Sequence, residues 1–311
     1  MRKDTIVIGT RSSKLALWQA DYIQAKLRER YPELPVVEKR MTTKGDRVLD
    51  APLAKIGGKG LFTKELEQAM LAGEIDIAVH SLKDMPTELP PGLVLAAVTE
   101  RFDAGDAVVS PRYGTLANLP QGAKVGTSSL RRRAQLLAQR PDLEIVSLRG
   151  NVNTRLQKLE DEDFDAIILA VAGLKRLGFG ERITEVLDKS VCLPAVGQGA
   201  LAIEARADDE EMISRLAFLD DAAMRAAARA ERAFLARVEG GCQVPVGVYA
   251  TAEGTTLAIE AVIASLDGAR LYRGSRTGSA SEAEALGRGL AEELLAAGGE
   301  AILQELGLLQ D

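Results

Sequence analysis

The sequence predicts an α/β fold of two similar domains, followed by a small C-terminal α+β domain. Through the first two-thirds of the chain, short apolar runs alternate with amphipathic stretches, which is the pattern of a parallel sheet covered by helices. Within that region, two pairs of segments resemble each other. After about residue 219 the alternation stops, and β-rich segments lie between two helical ones.

The first strand is predicted at residues 5–9, and an amphipathic helix follows at 13–30, where apolar side chains recur near helical spacing. The same two patterns predict the elements that come next along the chain. We expect strands at 75–80, 93–98, 106–109, 123–126, 145–148 and 165–170, and helices near 61–72, 129–140 and 152–161.

An internal repeat supports two domains of one kind. The Gly-Thr-Arg-Ser-Ser run at 9–13 is matched by Gly-Thr-Ser-Ser at 126–129, each at a predicted strand end. Residues 74–79 resemble residues 164–169 in the same way. We therefore predict that the two halves of this region fold alike.

The domain boundaries follow from two crossovers, at 99–106 and 193–199, where proline and glycine suit a bend in the chain. The third domain is expected to hold a helix that ends at Val238, β-rich segments near 245–251, 255–265 and 269–276, and a helix over 280–308. The predicted domains are 1–99 with 198–217, then 104–193, then 219–311.

Bulk composition excludes several classes of function. The chain has 311 residues and a formal net charge of −6, so non-specific binding to nucleic acids or to membrane surfaces is not expected. Its cysteines, Cys192 and Cys242, and its one histidine, His80, are too few for a disulfide framework or a structural zinc site. The start of the chain lacks the apolar core of a signal peptide, so we expect a cytoplasmic protein.

A local reversal of charge lies at residues 124–158, where eight basic side chains accompany two acidic ones. A run of exposed arginines is usually a solvated surface, so the positions of these arginines in the predicted fold must distinguish such a surface from a binding site. Arg11, Arg131, Arg149 and Arg155 fall in or just beyond turns at predicted strand ends, where open α/β sheets bind ligands. Because arginine makes two parallel hydrogen bonds to a carboxylate, we expect a ligand with several carboxylates in one cleft.

Four more residues are candidates that also have simpler explanations. Asp84 follows the strand at 75–80 and would open into the same cleft, although an aspartate beside a lysine and near a proline is commonly a turn residue. His80 is most simply a satisfied histidine at a strand end, and Cys192 a small buried apolar residue. Cys242 follows two glycines, which leave room for a bulky attachment, but spacing alone favours an unused free thiol.

Five segments span nearly the whole chain in a fixed order: 8–16, 80–86, 126–132, 149–155 and 240–242. Together they closely resemble the porphobilinogen deaminase family, also called the hydroxymethylbilane synthases. The resemblance implies a transferase that condenses four porphobilinogen molecules head to tail with loss of ammonia, and that releases hydroxymethylbilane by hydrolysis. It also implies two domains similar to periplasmic binding proteins, and a third that carries one covalent dipyrromethane cofactor.

The resemblance gives a role to each candidate residue. It implies that Cys242 holds dipyrromethane through a thioether, and that Asp84 lies at the pyrrole nitrogens as the catalytic carboxylate. The residues implied in cofactor binding are Cys242, Asp84, Lys83, Ser129, Arg131 and Arg132, and those implied in substrate binding are Arg11, Ser13, Thr127, Arg149 and Arg155. Porphobilinogen bears an acetate and a propionate, which accounts for the arginines. No metal, nucleic acid or membrane is implied, and a monomer is the family expectation.

Two alternatives stay open from the residues alone. A solute-binding protein for a polycarboxylate would show similar paired α/β domains, but it needs an export signal. A thiol hydrolase would pair Cys242 with His80, but no asparagine or aspartate that would orient the histidine is identifiable.

Overall fold

The structure is a computed structural model, and it describes residues 5–43, 45, 60–238 and 244–308. Contacts divide the chain into two compact units. One consists of Met1–Arg101 with Ala200–Ala222, and the other of Phe102–Gly199 with Ala223–Asp311.

The elements are numbered here in chain order. The strands are β1 (Ile6–Arg11), β2 (Val36–Met41), β3 (Ile77–Ser81), β4 (Leu93–Val98), β5 (Asp106–Val109), β6 (Lys124–Gly126), β7 (Glu144–Val146), β8 (Ala166–Ala170), β9 (Glu185–Val186), β10 (Leu201–Arg206), β11 (Val246–Glu253), β12 (Thr256–Ala264) and β13 (Leu271–Ser279). The α-helices are α1 (Lys14–Arg30), α2 (Lys64–Leu71), α3 (Leu130–Gln139), α4 (Val152–Asp161), α5 (Val171–Arg176), α6 (Glu210–Leu216), α7 (Ala222–Arg237), α8 (Ala283–Leu294) and α9 (Glu300–Glu305).

The sheet of the first unit has the strand order β2-β1-β3-β10-β4. β1 runs parallel to β2 and β3, whereas β10 is antiparallel to β3 and β4. Ile6, Ile8, Ile23, Leu27 and Ile203 are among the fully buried side chains of one of its cores. Ile6 and Ile8 of β1 are β-branched and fully buried, which favours a central strand, and they fix β1 so that its last residue, Arg11, lies at the carboxyl edge of the sheet.

The second unit contains a sheet of the same pattern, β7-β6-β8-β5-β9. β6 runs parallel to β7 and β8, and β5 is antiparallel to β8 and β9. In both sheets, three parallel strands are followed by one antiparallel strand and then by the edge strand. The topology therefore repeats, as the paired sequence segments predicted.

The second unit also holds the antiparallel sheet β11-β12-β13. Two tight turns join its strands, and both contain a glycine in the left-handed region, Gly254 (φ 58°) and Gly268 (φ 73°). α8 and α9 follow this sheet, so this part of the chain is the predicted small α+β domain. The fold class is confirmed.

Some elements differ from the predictions. β2, β9 and β10 were not predicted as strands: β2 is an edge strand with three charged residues, β9 has only two residues, and β10 lies just beyond the predicted crossover. The helix predicted over 280–308 is broken, because Gly298 has a φ of 129° between α8 and α9. Within the described residues, no helix has the length and apolar character needed to cross a membrane.

Candidate active site

One group of predicted site residues gathers at the carboxyl end of β1 in the first unit. The guanidinium carbon of Arg11 lies 4.3 Å from the centroid of the Phe62 ring, a cation–π contact. Ser13 caps α1, because its hydroxyl oxygen accepts a hydrogen bond from the backbone N–H of Ala16 at 3.3 Å. Arg11, Ser13 and Phe62 line one small cavity of about 50 Å³, and Asp84 lines it too.

Asp84 is placed by a short 3₁₀ turn, Leu82–Asp84, which follows β3 directly. Leu82 is buried and anchors the turn, whereas Lys83 and Asp84 are half-buried. The backbone N–H of Met85 closes the turn by donating to the carbonyl of Leu82 at 3.1 Å. The structure thus brings Asp84 and Arg11 to the same cavity within the first unit.

His80 lies inside β3, two residues after Ala78, which belongs to a buried cluster with Leu66 and Met70 of α2. Its Nε2 atom is 3.2 Å from Oε2 of Glu204, and both side chains are buried. The approach does not meet hydrogen-bond geometry, so the prediction of a satisfied histidine is wrong for Nε2, which is buried without a hydrogen-bond partner among the described residues. Glu67 is buried nearby, where burial and then the Glu204 charge raise its pKa.

A second group of predicted site residues lies at the start of α3 in the second unit. Ser129 caps this helix by accepting from the backbone N–H of Arg132 at 3.4 Å. Thr127 is buried and accepts from the backbone N–H of Ser129 at 3.2 Å. This cap fixes the first turn of α3, which contains Arg131 and Arg132, so it determines the backbone positions from which their side chains extend.

Arg131 and Arg132 are both about 5% exposed and share one partner, Asp106, the first residue of β5. Nη1 of Arg131 lies 2.5 Å from Oδ2 of Asp106, and Nη2 of Arg132 lies 2.6 Å from Oδ1. Arg131 also donates to the backbone carbonyl of Leu193 at 2.7 Å, and Arg132 to that of Ile168 at 3.0 Å. Counting Nη2 of Arg131 and Nε of Arg132, which also donate to Asp106, each guanidinium uses three of its five N–H groups here.

The charges of this cluster do not cancel. Burial alone would raise the pKa of Asp106, but the two guanidinium groups outweigh burial and hold that pKa well below its usual range. Burial raises the pKa of the Cys192 thiol to about 12, so it is neutral at pH 7. Among the described residues no second carboxylate contacts Arg131 or Arg132, so the cluster carries a net charge of +1.

Arg149 lies in the turn between β7 and α4, and Arg155 lies in the first turns of α4. Nε of Arg155 donates to the backbone carbonyl of Gly150 at 2.8 Å. Gly150 has a φ of 121°, and a Cβ at this position would lie 2.8 Å from Cγ2 of Thr154. Asn151 caps α4 by accepting from the backbone N–H of Thr154 at 3.0 Å. A glycine is thus required at this position, where the turn follows Arg149 and its carbonyl holds the Arg155 side chain.

Cys242 lies outside the described residues, so the proposed anchor has no structural description. Cys192 is buried as predicted, but its surroundings are polar: its Sγ is 3.4 Å from both Asp106 and Arg131. Within the described part of the chain, no group of histidine, cysteine and acidic residues is arranged to hold a metal.

Reasoning from sequence missed Asp106, Gln198 and Glu204. For Asp106 and Glu204 the available signal was an acidic residue beside apolar residues within a strand, as in Asp-Ala-Val-Val at β5 and Ala-Ile-Glu-Ala in β10; Gln198 lies outside the strands and carries no such signal. Such residues are seldom buried unless they are paired.

Comparison with known families gives two matches that together cover most of the chain. The sequence model of the porphobilinogen deaminase dipyrromethane cofactor binding domain matches residues 6–214. The model of the porphobilinogen deaminase C-terminal domain matches residues 226–296.

Individual relatives agree with these matches over nearly their full length. The porphobilinogen deaminase of Geotalea daltonii is 56% identical over 299 residues, which cover 96% of this chain and 94% of the relative. That of Roseiflexus castenholzii is 56% identical over 301 residues, which cover 97% and 99%. That of Syntrophotalea carbinolica is 54% identical over 306 residues, which cover 98% and 97%.

Solved structures give more distant matches. The periplasmic aliphatic sulphonate binding protein SsuA from Escherichia coli has a TM-score of 0.41 at 16% identity, with 75% of this chain and 70% of that one covered. An arginine-specific periplasmic binding protein of Salmonella typhimurium has a TM-score of 0.38 at 15% identity, with 69% and 90% covered.

Proposed function

The chain belongs to the porphobilinogen deaminase family, and we propose that this family's reaction is carried by Asp84 and by five arginines: Arg11, Arg131, Arg132, Arg149 and Arg155. The chain is a transferase of tetrapyrrole biosynthesis, it uses porphobilinogen, and its cofactor is dipyrromethane. It condenses four porphobilinogen molecules head to tail with loss of ammonia and releases hydroxymethylbilane by hydrolysis. The solute-binding and thiol-hydrolase alternatives are set aside for the same reason.

The observation that carries the assignment of residues is the uncompensated charge of the cluster formed by Arg131, Arg132 and Asp106. A buried cation without a counterion is costly, so this cluster fits a ligand that brings a carboxylate. Dipyrromethane and porphobilinogen both carry acetate and propionate groups. We assign Arg131 and Arg132, with Ser129 and Lys83, to the cofactor.

Asp84 is assigned the catalytic role. Loss of ammonia from the aminomethyl group of porphobilinogen leaves a cationic pyrrole, and a carboxylate beside it stabilises that charge and can take part in the proton transfers. The cofactor, when bound, supplies the free α-carbon to which the first substrate is joined. The 3₁₀ turn supports this role, because it holds Asp84 at the cavity that Arg11 lines.

The remaining assignments concern substrate carboxylates. We assign Arg11, Ser13, Thr127, Arg149 and Arg155 to substrate binding. The Arg11–Phe62 contact supports the first of these, since stacking on the ring limits the orientations of the guanidinium. The hydrogen bond from Arg155 to Gly150 limits the orientations of that side chain in the same way.

Three broader assignments complete the proposal. We propose that the protein is cytoplasmic, is a monomer and binds no nucleic acid, the last because of its net charge of −6. We also propose the domains 1–99 with 198–217, 104–193 and 219–311, with Cys242 in the third as the thioether anchor. The repeated sheet order supports the first two of these domains.

Intact-mass spectrometry of the purified protein tests the cofactor and its anchor together. We expect the polypeptide to be heavier by two linked deaminated pyrrole units, and Cys242→Ser to lose that increment. Cys192→Ser is the matched control, because it changes the other cysteine and should keep the increment. A bare polypeptide mass from active enzyme would refute the anchor.

A further inference from the structure

The carboxylate of Asp106 is the shared partner of the arginine pair. Its Oδ2 accepts from Nη1 of Arg131 at 2.5 Å, and its Oδ1 accepts from Nη2 of Arg132 at 2.6 Å and from Nε at 3.0 Å. Gln198 adds another donor, because its Nε2 lies 3.0 Å from the same Oδ1. Asp106 is fully buried, so no water replaces a bond that is lost.

Gln198 is itself held in place. Its Nε2 also donates to the backbone carbonyls of Ala104 at 2.7 Å and Gly105 at 3.2 Å, directly before Asp106 in the chain. The amide therefore ties the carboxylate to the backbone that carries it. The position of Asp106 is set from two sides, by its own strand and by Gln198.

Two guanidinium groups that share one carboxylate oxygen would otherwise repel each other. Without a carboxylate between them, the free-energy cost of burying both charges would exceed the stabilisation that packing or helix capping contributes. Asp106 thus allows two arginines to be buried side by side at the start of α3. It also limits the charge that the pair offers to a ligand.

We infer that Asp106 is the positioning residue of the arginine pair: it holds both guanidinium groups in one orientation and sets their net charge at +1, matched to one carboxylate of the cofactor. The inference rests on the proposed function, which makes dipyrromethane the ligand of Arg131 and Arg132. Asp106 acts through these two arginines.

A purely structural role for Asp106 is the competing explanation. In that case its loss would lower the melting temperature, and cofactor loading would fall only by the fraction of protein that is unfolded. A positioning role predicts a loss of loading in protein that is fully folded. The two explanations also rank substitutions differently. A structural role favours asparagine, which keeps the shape of aspartate, whereas a positioning role favours glutamate, which keeps its charge.

The experiment compares Asp106→Asn, Asp106→Glu and wild type, all full-length and produced in a host that makes no porphobilinogen. Each protein is incubated with porphobilinogen well below its melting midpoint, and intact mass records the rate at which dipyrromethane is acquired. We expect Asp106→Asn to be slower on the order of 10- to 100-fold, and Asp106→Glu to recover part of that loss. Asp142→Asn is the matched control, since it breaks an arginine–aspartate pair with Arg140 outside the cluster and should load normally.

A further variant covers the case in which Asp106 variants fail to fold. Gln198→Met removes the amide donor to Asp106 and leaves all three charges, so we expect a smaller loss of loading than in Asp106→Asn. Normal loading in folded Asp106→Asn, or in Gln198→Met when Asp106 variants do not fold, would overturn the inference. Faster loading in Asp106→Asn than in Asp106→Glu would overturn it too. If wild type acquires no dipyrromethane at all, the proposed function fails instead.

Discussion

The Nε2 atom of His80 lies 3.2 Å from Oε2 of Glu204, and the two side chains are 4% and 0% exposed. They come from neighbouring antiparallel strands, β3 and β10, and Glu204 pairs in register with Ala78. A third buried group, Glu67 of α2, has its pKa raised mainly by burial and then by the charge of Glu204. The imidazole of His80 therefore lies close to two buried carboxyl groups, Glu204 and Glu67.

We expect His80→Ala to destabilise the protein by about 1–3 kcal/mol, because it removes the imidazole nitrogen that lies 3.2 Å from the buried Oε2 of Glu204. The free energy of unfolding in urea measures this. Lys39→Ala is the matched control: it breaks the exposed pair between Lys39 and Glu74, at 2.6 Å, and should cost less than about 1 kcal/mol. Equal losses in the two variants would show that burial of the pair has no energetic consequence.

Asp84→Asn should give a folded, cofactor-loaded protein whose turnover is lower by roughly 10²–10⁴-fold, because the amide cannot stabilise a cation or accept a proton. Initial rates with porphobilinogen measure the turnover, and intact mass confirms that the cofactor is present. Glu74→Gln removes an exposed carboxylate from the same unit and should keep its activity. Near-normal turnover in loaded Asp84→Asn would remove Asp84 from the mechanism.

Much of the fold was accessible from sequence, since local pattern decides most of its elements. Apolar runs such as 6–8 and 166–169 predict buried strands, and the repeat at 126–129 predicts a second domain of the same topology. β2 was missed because an edge strand tolerates charge on its exposed side, so its sequence lacks an apolar run.

The site was accessible only in part, because a sequence shows which side chains a chain offers but not which of them pair with each other. Arg131 and Arg132 were predicted to face a ligand. The structure shows that Asp106 already takes part of their hydrogen-bonding capacity and one of their charges. Asp106 and Arg131 are 25 residues apart, so their pairing depends on β5 and α3 meeting across the sheet, which no local pattern records.

Gly150→Ala should destabilise the protein and weaken substrate binding together. Its φ of 121° strains any other residue, and the added Cβ would meet Thr154 in the turn that places Arg149 and Arg155. We expect a loss of about 1–3 kcal/mol in unfolding free energy and a raised KM for porphobilinogen. Gly122→Ala is the matched control, because its φ is 73° but a Cβ there meets nothing within 4 Å. It should lower stability without changing KM; an unchanged KM in Gly150→Ala would separate this turn from substrate binding.

The Cys192 thiol predicts how stability depends on alkaline pH. Burial, and after it the charge of Asp106, raises the thiol pKa to about 12, whereas in the unfolded chain the thiol titrates at about 8.5. Above that ordinary value the unfolded state loses a proton that the folded state keeps, so stability is constant below about pH 8 and falls as pH rises toward 12. The slope is about 1.4 kcal/mol per pH unit.

Urea unfolding of wild type and Cys192→Ala at several pH values measures this slope, and Cys242 is common to both proteins. The stability of wild type relative to Cys192→Ala should fall by about 2 kcal/mol between roughly pH 8.5 and 10. Lysines and tyrosines titrate in both proteins, so their contributions cancel in the difference. Parallel curves would show that the folded thiol ionises as readily as the unfolded one. In that case Cys192 would reach solvent, and a net charge of +1 for the arginine cluster would no longer hold at alkaline pH.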